Sequence, residues 1–470
     1  MRKFLPIAFA AALLFGGAGC SLAPQVQIKP VTLEYWRTQD DQDTMADQIA
    51  AYKKLHPNVD IVYRKMREED YEKLLLEAFA ENRGPDIFSI PNVWLGGWKN
   101  KILPIPKEIV IPTQEVNAQK KIVTVKKKTP GLSILDFRNR FVEGVTKELV
   151  QPVFEKEGKP PTDMIMGLPL SADTLAMYYN KDILKKGQIE KPPATWRDVQ
   201  DLAARLTILE APDPAHPGEQ VTAIKQSGAA IGGSKNIQYA TDLLASLMTL
   251  NGAQMAEDSY GYATFSHFTQ ESEDAGKQYP PGVEALMFYQ SFTIPGSQGY
   301  SWNADMPNSL DAFITGRTAL YFGLPYDMQK IRERAPKLDF GIAPLPLIDA
   351  TRPGGILHYP VEVVAKKTAH PDEAWDFLEF LTAEDQAGPF LTASKRPTAL
   401  RSLINAQLTD VDIAPFAGQV LNARAWYRGN DYAKVEDAFN YMIDWRPTIE
   451  RPDYITTVAE GENKVNETLR

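Results

Sequence analysis

Apolar and polar residues alternate from Val31 to Trp36, the pattern of a strand with one covered face, and a polar run from Arg37 to Asp43 follows. Met45, Ile49 and Tyr52 then share one helical face, Thr44 and Asp47 are spaced as a capping box, and Pro57 marks the helix end. Val59, Ile61 and Tyr63 alternate again, so these three elements read as one βαβ unit. Tyr71, Leu74, Leu75, Ala78 and Phe79 have the spacing of a core-facing helix, after which Gly84-Pro85-Asp86 introduces a buried strand from Ile87 to Ile90.

From Lys101 to Pro161 the pattern changes. Five lysines among β-branched residues between Lys120 and Lys128 predict a solvated edge hairpin or loop, and Phe137, Phe141, Val145 and Leu149, at steps of four, predict a helix over 133–157. In the stretch "GLPLSADTLAMYYNKDIL" from Gly167, Pro169 disfavours helix and the run Leu175 to Tyr179 is short and rich in strand formers. Two short strands are expected there, with Asn180 at a strand end, Asp182 in the first turn of a brief helix, and Gly187 stopping that helix. Thr195 and Asp198 form a second capping box ahead of Val199, Leu202, Ala203 and Leu206. Helices are expected over 237–250 and 283–292, and another with Ala374, Phe377, Leu378 and Leu381 on one face. From Arg451 the apolar spacing fades and the tail is expected to fray.

Met1 to Gly19 reads as an export signal: Arg2 and Lys3, an apolar run from Phe4 to Phe15, then small residues up to Cys20. Cys20 is the single cysteine of the chain, so no internal disulfide can form. Its position after the small residues resembles a bacterial lipoprotein processing site, with Gly17 where such sites usually carry Leu. Ser21 to Pro30 reads as a tether. The chain holds 51 basic and 60 acidic residues, a formal charge of −9, and loss of Arg2 and Lys3 takes this to −11 (49 against 60), which argues against nucleic acid as a partner. The five histidines show no pair at metal spacing, and no nucleophile elbow, phosphate loop or dinucleotide fingerprint occurs, so no cofactor, metal or catalytic residue is assigned.

"GLPLSADTLAMYYNKDIL", "PPATWRDVQDLAARL" from Pro192, "GPDIFSIPNVWL" from Gly84, "SWNADMPNSLDAFITGRTALYFGLPYDMQKI" from Ser301 and "HPDEAWDFLEFLTAEDQAGPFL" from His370 together resemble the bacterial extracellular solute-binding proteins of ABC importers, in the branch that includes maltose-binding protein. The resemblance implies an α/β periplasmic-binding-protein fold, type II-like, with two discontinuous lobes joined by a hinge: 31–168 plus 317–352, with an insertion at about 101–161, and 169–316 plus 353–450, followed by the 451–470 tail. In that arrangement a helix over 309–315 ends at Gly316, the strand from Thr318 to Phe322 re-enters the first lobe, and "KRPTALRSL" is similar to a short helical segment near the hinge. It also implies a monomeric, extracytoplasmic, membrane-anchored lipoprotein that is not an enzyme, with a small solute and an ABC permease as partners.

Aromatic and polar residues just beyond strand ends are the candidates for solute contact: Trp36, Asp40, Asn92, Trp94, Asn180, Trp302, Asn303, Tyr326 and Tyr359. A sugar ring offers an apolar C–H face and a rim of hydroxyls, and flat aromatic platforms with planar hydrogen-bonding groups complement both. A sugar or oligosaccharide is therefore expected. A polyol phosphate or peptide is the alternative ligand, and a surface glycoside hydrolase or a ligand-free scaffold the alternative class.

Overall fold

The computed structural model describes residues 28–120, 122–154, 158–211, 222–257, 261–348, 353–446 and 453–469. The signal and Cys20 lie outside the described residues. The strands are β1 (Val31–Arg37), β2 (Val59–Lys65), β3 (Ile87–Pro91), β4 (Ile102–Leu103), β5 (Glu108–Val116), β6 (Ile122–Pro130), β7 (Val150–Val153), β8 (Thr162–Ile165), β9 (Ala176–Asn180), β10 (Ile208–Leu209), β11 (Ile224–Ala229), β12 (Thr318–Gly323), β13 (Phe340–Pro344) and β14 (Pro360–Ala365).

Two five-stranded sheets, ordered β2-β1-β3-β14-β4 and β10-β11-β12-β9-β13, organise two lobes, each with its own hydrophobic core. In the first, β1 runs parallel to both β2 and β3, because the helices Gln42–Leu55 and Tyr71–Ala80 carry the chain back between strands. Met45, Tyr52, Tyr71 and Leu75 are buried on those helices, as the spacing requires. The first helix starts after Asp41, which makes no side-chain cap, so the expected Thr44–Asp47 box is not used. The box at Thr195 and Asp198 is formed in full.

Pairing corrects the division of the chain. β12 lies between β11 and β9 in the second sheet, β13 pairs with β9, and β14 pairs with β3 and β4 in the first sheet. Residues 318–344 therefore belong to the second lobe and 360–365 to the first, the reverse of the expected assignment. The first core takes Leu357 to Ile404 together with Val420 and Ala423, while Ile413, Phe416, Ala417 and Trp426 belong to the second. The chain crosses at Asp173–Leu175, near Ile356–Leu357 and between Ile404 and Ile413, and the segment 417–426 runs along the seam, contributing to both cores.

Two local expectations also change. The helix over 133–157 is split into Ile134–Arg140 and Glu143–Leu149, because Phe141 is extended and bridges Leu400, and β7 then pairs with β8. Phe137, Phe141, Val145 and Leu149 are nevertheless all fully buried. The tail does not fray: the helix Tyr454–Thr468 packs on Tyr432–Asp444, burying Val458 and Val465, with Gly461 against Met442.

Candidate functional site

Parallel strands deliver their carboxyl ends to the same edge of each sheet, and the loops beyond those ends form the facing surfaces of the lobes. At the carboxyl end of β1, Arg37 is buried between two carboxylates, 2.8 Å from Asp40 and 3.3 Å from Glu362, while the Tyr35 hydroxyl donates to Glu362 at 2.6 Å. Burial raises the Glu362 carboxyl, with Arg37 and Tyr35 opposing. Asp40 occupies the left-handed region at φ 64°, which an aspartate tolerates better than most residues.

At the first crossing Asp173 meets Arg396. Nε donates to Asp173 at 3.1 Å, Nη2 donates to its other oxygen, and Nη1 donates to Gln39 at 2.6 Å. The same guanidinium lies 5.7 Å from the Tyr326 ring centre and 3.9 Å from Asp40, so it links loops of both lobes. Tyr326 is held in turn by Tyr239, whose hydroxyl lies 3.0 Å from that of Tyr326 and 3.2 Å from Asp327. On the returning segment, His358 Nδ1 is 2.8 Å from Asp242, which also accepts from Tyr432 at 3.1 Å. Burial lowers the His358 imidazole, but Asp242 outweighs it, and the pKa stands at about 9.

The nine expected contact residues separate into groups. Asp40 and Tyr326 meet at Arg396, and Trp94, half-buried, packs against both cores. Asn92 and Tyr359 come together as a staple: Asn92 donates to Glu148 at 3.0 Å and accepts from the Tyr359 amide at 3.0 Å, while the Tyr359 hydroxyl donates to Glu148 at 2.5 Å. Trp36 lies on the opposite face of β1 from Tyr35 and Arg37, its indole N–H 3.4 Å from Glu34.

Three placements are corrections. Asn180 caps the helix Lys181–Lys186, and because β9 is antiparallel to β12 it lies at the far end of the sheet from Tyr326. Trp302 is fully buried in the second core with its N–H donated to Asn236 at 3.0 Å. Asn303 donates to the carbonyl of Thr222, just ahead of β11, again at the far end.

A cavity of about 950 Å³ lies on the seam between the lobes. The first lobe contributes Glu143, Thr146 and Lys147 from one helix, and the second contributes Thr249 and Gln254, with Arg424 and Trp426 on the segment that runs along the seam. Arg428 fastens that segment by donating to the Lys147 carbonyl. None of the nine expected residues lines this cavity; Glu143 belongs to the helix whose period was read but whose partner across the seam was not.

Residues 35–388 match the family model of the bacterial extracellular solute-binding proteins. The chain belongs to that family. It is 26% identical over 304 residues to a binding protein of Brucella abortus, an alignment that covers 62% of each chain, so this protein spans about three fifths of that relative's length. It is also 28% identical over 235 residues to the maltodextrin-binding protein of Bacillus subtilis, 48% of each. The sugar-binding protein MalE of Xanthomonas citri has the same fold at a TM-score of 0.63 and 17% identity, covering 93% of this chain and 97% of that one. Solute-binding proteins of this two-lobe fold work outside the cytoplasm with ABC transporters. Among the described residues no cluster of three metal-ligating side chains occurs, and no helix is long and apolar enough to cross a membrane.

Proposed function

We propose that this protein captures an oligosaccharide between its lobes, without catalysis, and delivers it to an ABC permease while a lipid on Cys20 holds it at the membrane. The observation that carries the reading is the cavity of about 950 Å³, lined from both lobes by planar hydrogen-bonding side chains, Glu143, Gln254 and Arg424, with the Trp426 ring packed in the second core at its edge. Such polar groups complement the hydroxyl rim of a sugar, and the volume is at the upper end of small-molecule sites. The maltodextrin-binding relative supports the same class. A ligand held by both lobes favours closure, because it gains contacts only when they meet.

A melting-temperature screen over maltodextrins, mannooligosaccharides, glycerol phosphate and short peptides tests this. A true ligand at about a hundred times its dissociation constant stabilises by about 2.7 kcal/mol, and the released glycan remains intact by chromatography. A shift only with peptides or glycerol phosphate would replace the sugar reading, and glycan cleavage would replace the binding reading.

A further inference from the structure

The hairpin of β5 and β6 lies outside this site. It packs along the helix Pro371–Leu381 of the first lobe, with Asp372 hydrogen-bonded to the backbone at Val110, and with Lys127 close enough to influence both Asp376 and His56. His56 ends the helix Gln42–Leu55, and two residues later Asn58 donates to the Lys29 carbonyl at 3.4 Å and accepts from the Val31 amide at 2.8 Å. The hairpin and the point where the N-terminal segment joins the fold therefore share one end of the lobe. That is the end where β1 and β2 begin, opposite the facing loops.

The hairpin tip carries exposed aliphatic side chains. Val116 and Ile122 oppose each other on the last rung of the hairpin and are 69% and 70% exposed, and Leu55 is 60% exposed nearby. Lys53 and Lys128 are paired with Asp60 and Glu108, whereas Lys120, in the hairpin turn, and Lys126, four rungs from the tip, stand exposed. Aliphatic side chains set among lysines can enter the headgroup region of a bilayer while the ammonium groups meet anionic lipid.

We propose that this end of the first lobe rests on an anionic phospholipid surface, with Val116 and Ile122 at headgroup depth and Lys120 and Lys126 over the phosphates. The proposal uses the membrane-proximal reading above, yet its contact does not depend on the lipid. The continuity with the N-terminal segment explains why the hairpin is there: a chain held at that end presents the same end to the bilayer, and the facing loops stay open to solute. Each lysine near such a surface contributes about fivefold to partitioning.

The chain from Ser21 onward contains every described element and carries no lipid. Its cosedimentation with phosphatidylcholine vesicles, with and without phosphatidylglycerol, is the test. We expect binding to the anionic vesicles alone, weakened by salt. Lys120→Glu with Lys126→Glu should reduce it at least twentyfold, taking about fivefold per lysine. Val116→Ser with Ile122→Ser should reduce it further at an unchanged melting temperature, since both side chains are exposed. Equal binding to neutral vesicles, undiminished binding by either double variant, or a tip-dependent dimer in light scattering overturns the proposal. Loss of the lipid anchor in the full chain, with vesicle binding retained here, would remove the anchor and leave the hairpin contact standing.

Discussion

Arg396 and Asp173 lie 223 residues apart in sequence, are each about 1% exposed, and form a two-point ion pair at the first crossing between the lobes. Burial raises the Asp173 carboxyl and Arg396 counters it. Removing one member of a buried pair leaves the other charge unsatisfied, at a cost of about 3–5 kcal/mol, whereas replacing both with apolar groups of similar volume can be nearly neutral. Asp173→Ala is therefore expected to lose about that much in urea unfolding, and Asp173→Leu with Arg396→Met less than either single change. Additive losses in the double variant would show that the two side chains act separately.

This pair also marks what could be read from the chain and what could not. Many helix faces and the Thr195 box follow from local period and capping, whereas the helix expected over 133–157 breaks at Phe141, and of the two strands expected from Gly167 one forms, Ala176–Asn180, with Leu168, Ser171 and Thr174 in isolated bridges. Which sheet a strand joins is a long-range fact: nothing near Thr318 shows that it will sit between β11 and β9. The strand-end rule needs strand direction as well, and Asn180 and Tyr326 fall at opposite ends because β9 runs against β12. Trp302 is flanked by polar residues, the pattern of a solute contact, but Asn236 satisfies its N–H inside the core. Asp173 and Arg396 stood in the motifs that resemble the family, yet neither motif shows that one neutralises the other.

A pH dependence follows from His358 and Asp242. The folded imidazole titrates near 9, above its ordinary value of about 6.5, so its stabilising contribution is complete below 6.5 and is lost as pH rises through 9. Thermal melts from pH 6 to 10 should show a decline across that window that flattens in His358→Gln. An unchanged slope in the variant would assign the decline to other groups.

Glu148 sets an earlier window. Burial raises its carboxyl to about 7, against the donors Tyr359 and Asn92. A raised acid stabilises most when protonated, so this contribution is present below about 4.5 and disappears as pH rises through 7. Glu148→Gln removes the titration and sets an amide N–H₂ against one of two donors. It is expected to cost about 1–3 kcal/mol at pH 5 and less at pH 8. Urea midpoints at the two values decide it, and equal losses at both would contradict a shifted Glu148.

The proposed lipidation at Cys20 has a direct readout. Cells expressing the full chain and fed labelled palmitate should mark it, and Cys20→Ser should abolish the label. Label retained on the serine variant would place any acyl group elsewhere.

The last expectation separates the buried tryptophan from the seam. Trp302 is fully buried and its N–H is satisfied, so Trp302→Ala creates a cavity and is expected to cost about 3–5 kcal/mol while the protein that remains folded binds as before. Arg424 is exposed at the cavity, where its planar donors can reach a ligand, and its removal should change stability by no more than about 0.5 kcal/mol. A lost hydrogen bond from a charged group is worth about 1.5–3 kcal/mol, so Arg424→Ala should weaken the ligand found in the screen by at least tenfold. The two variants thus have opposite signatures, one in the melting temperature and one in calorimetric affinity. If Arg424→Ala binds as the unaltered protein does while Trp302→Ala loses affinity at an unchanged melting temperature, the ligand lies away from the seam and the cavity is not the site.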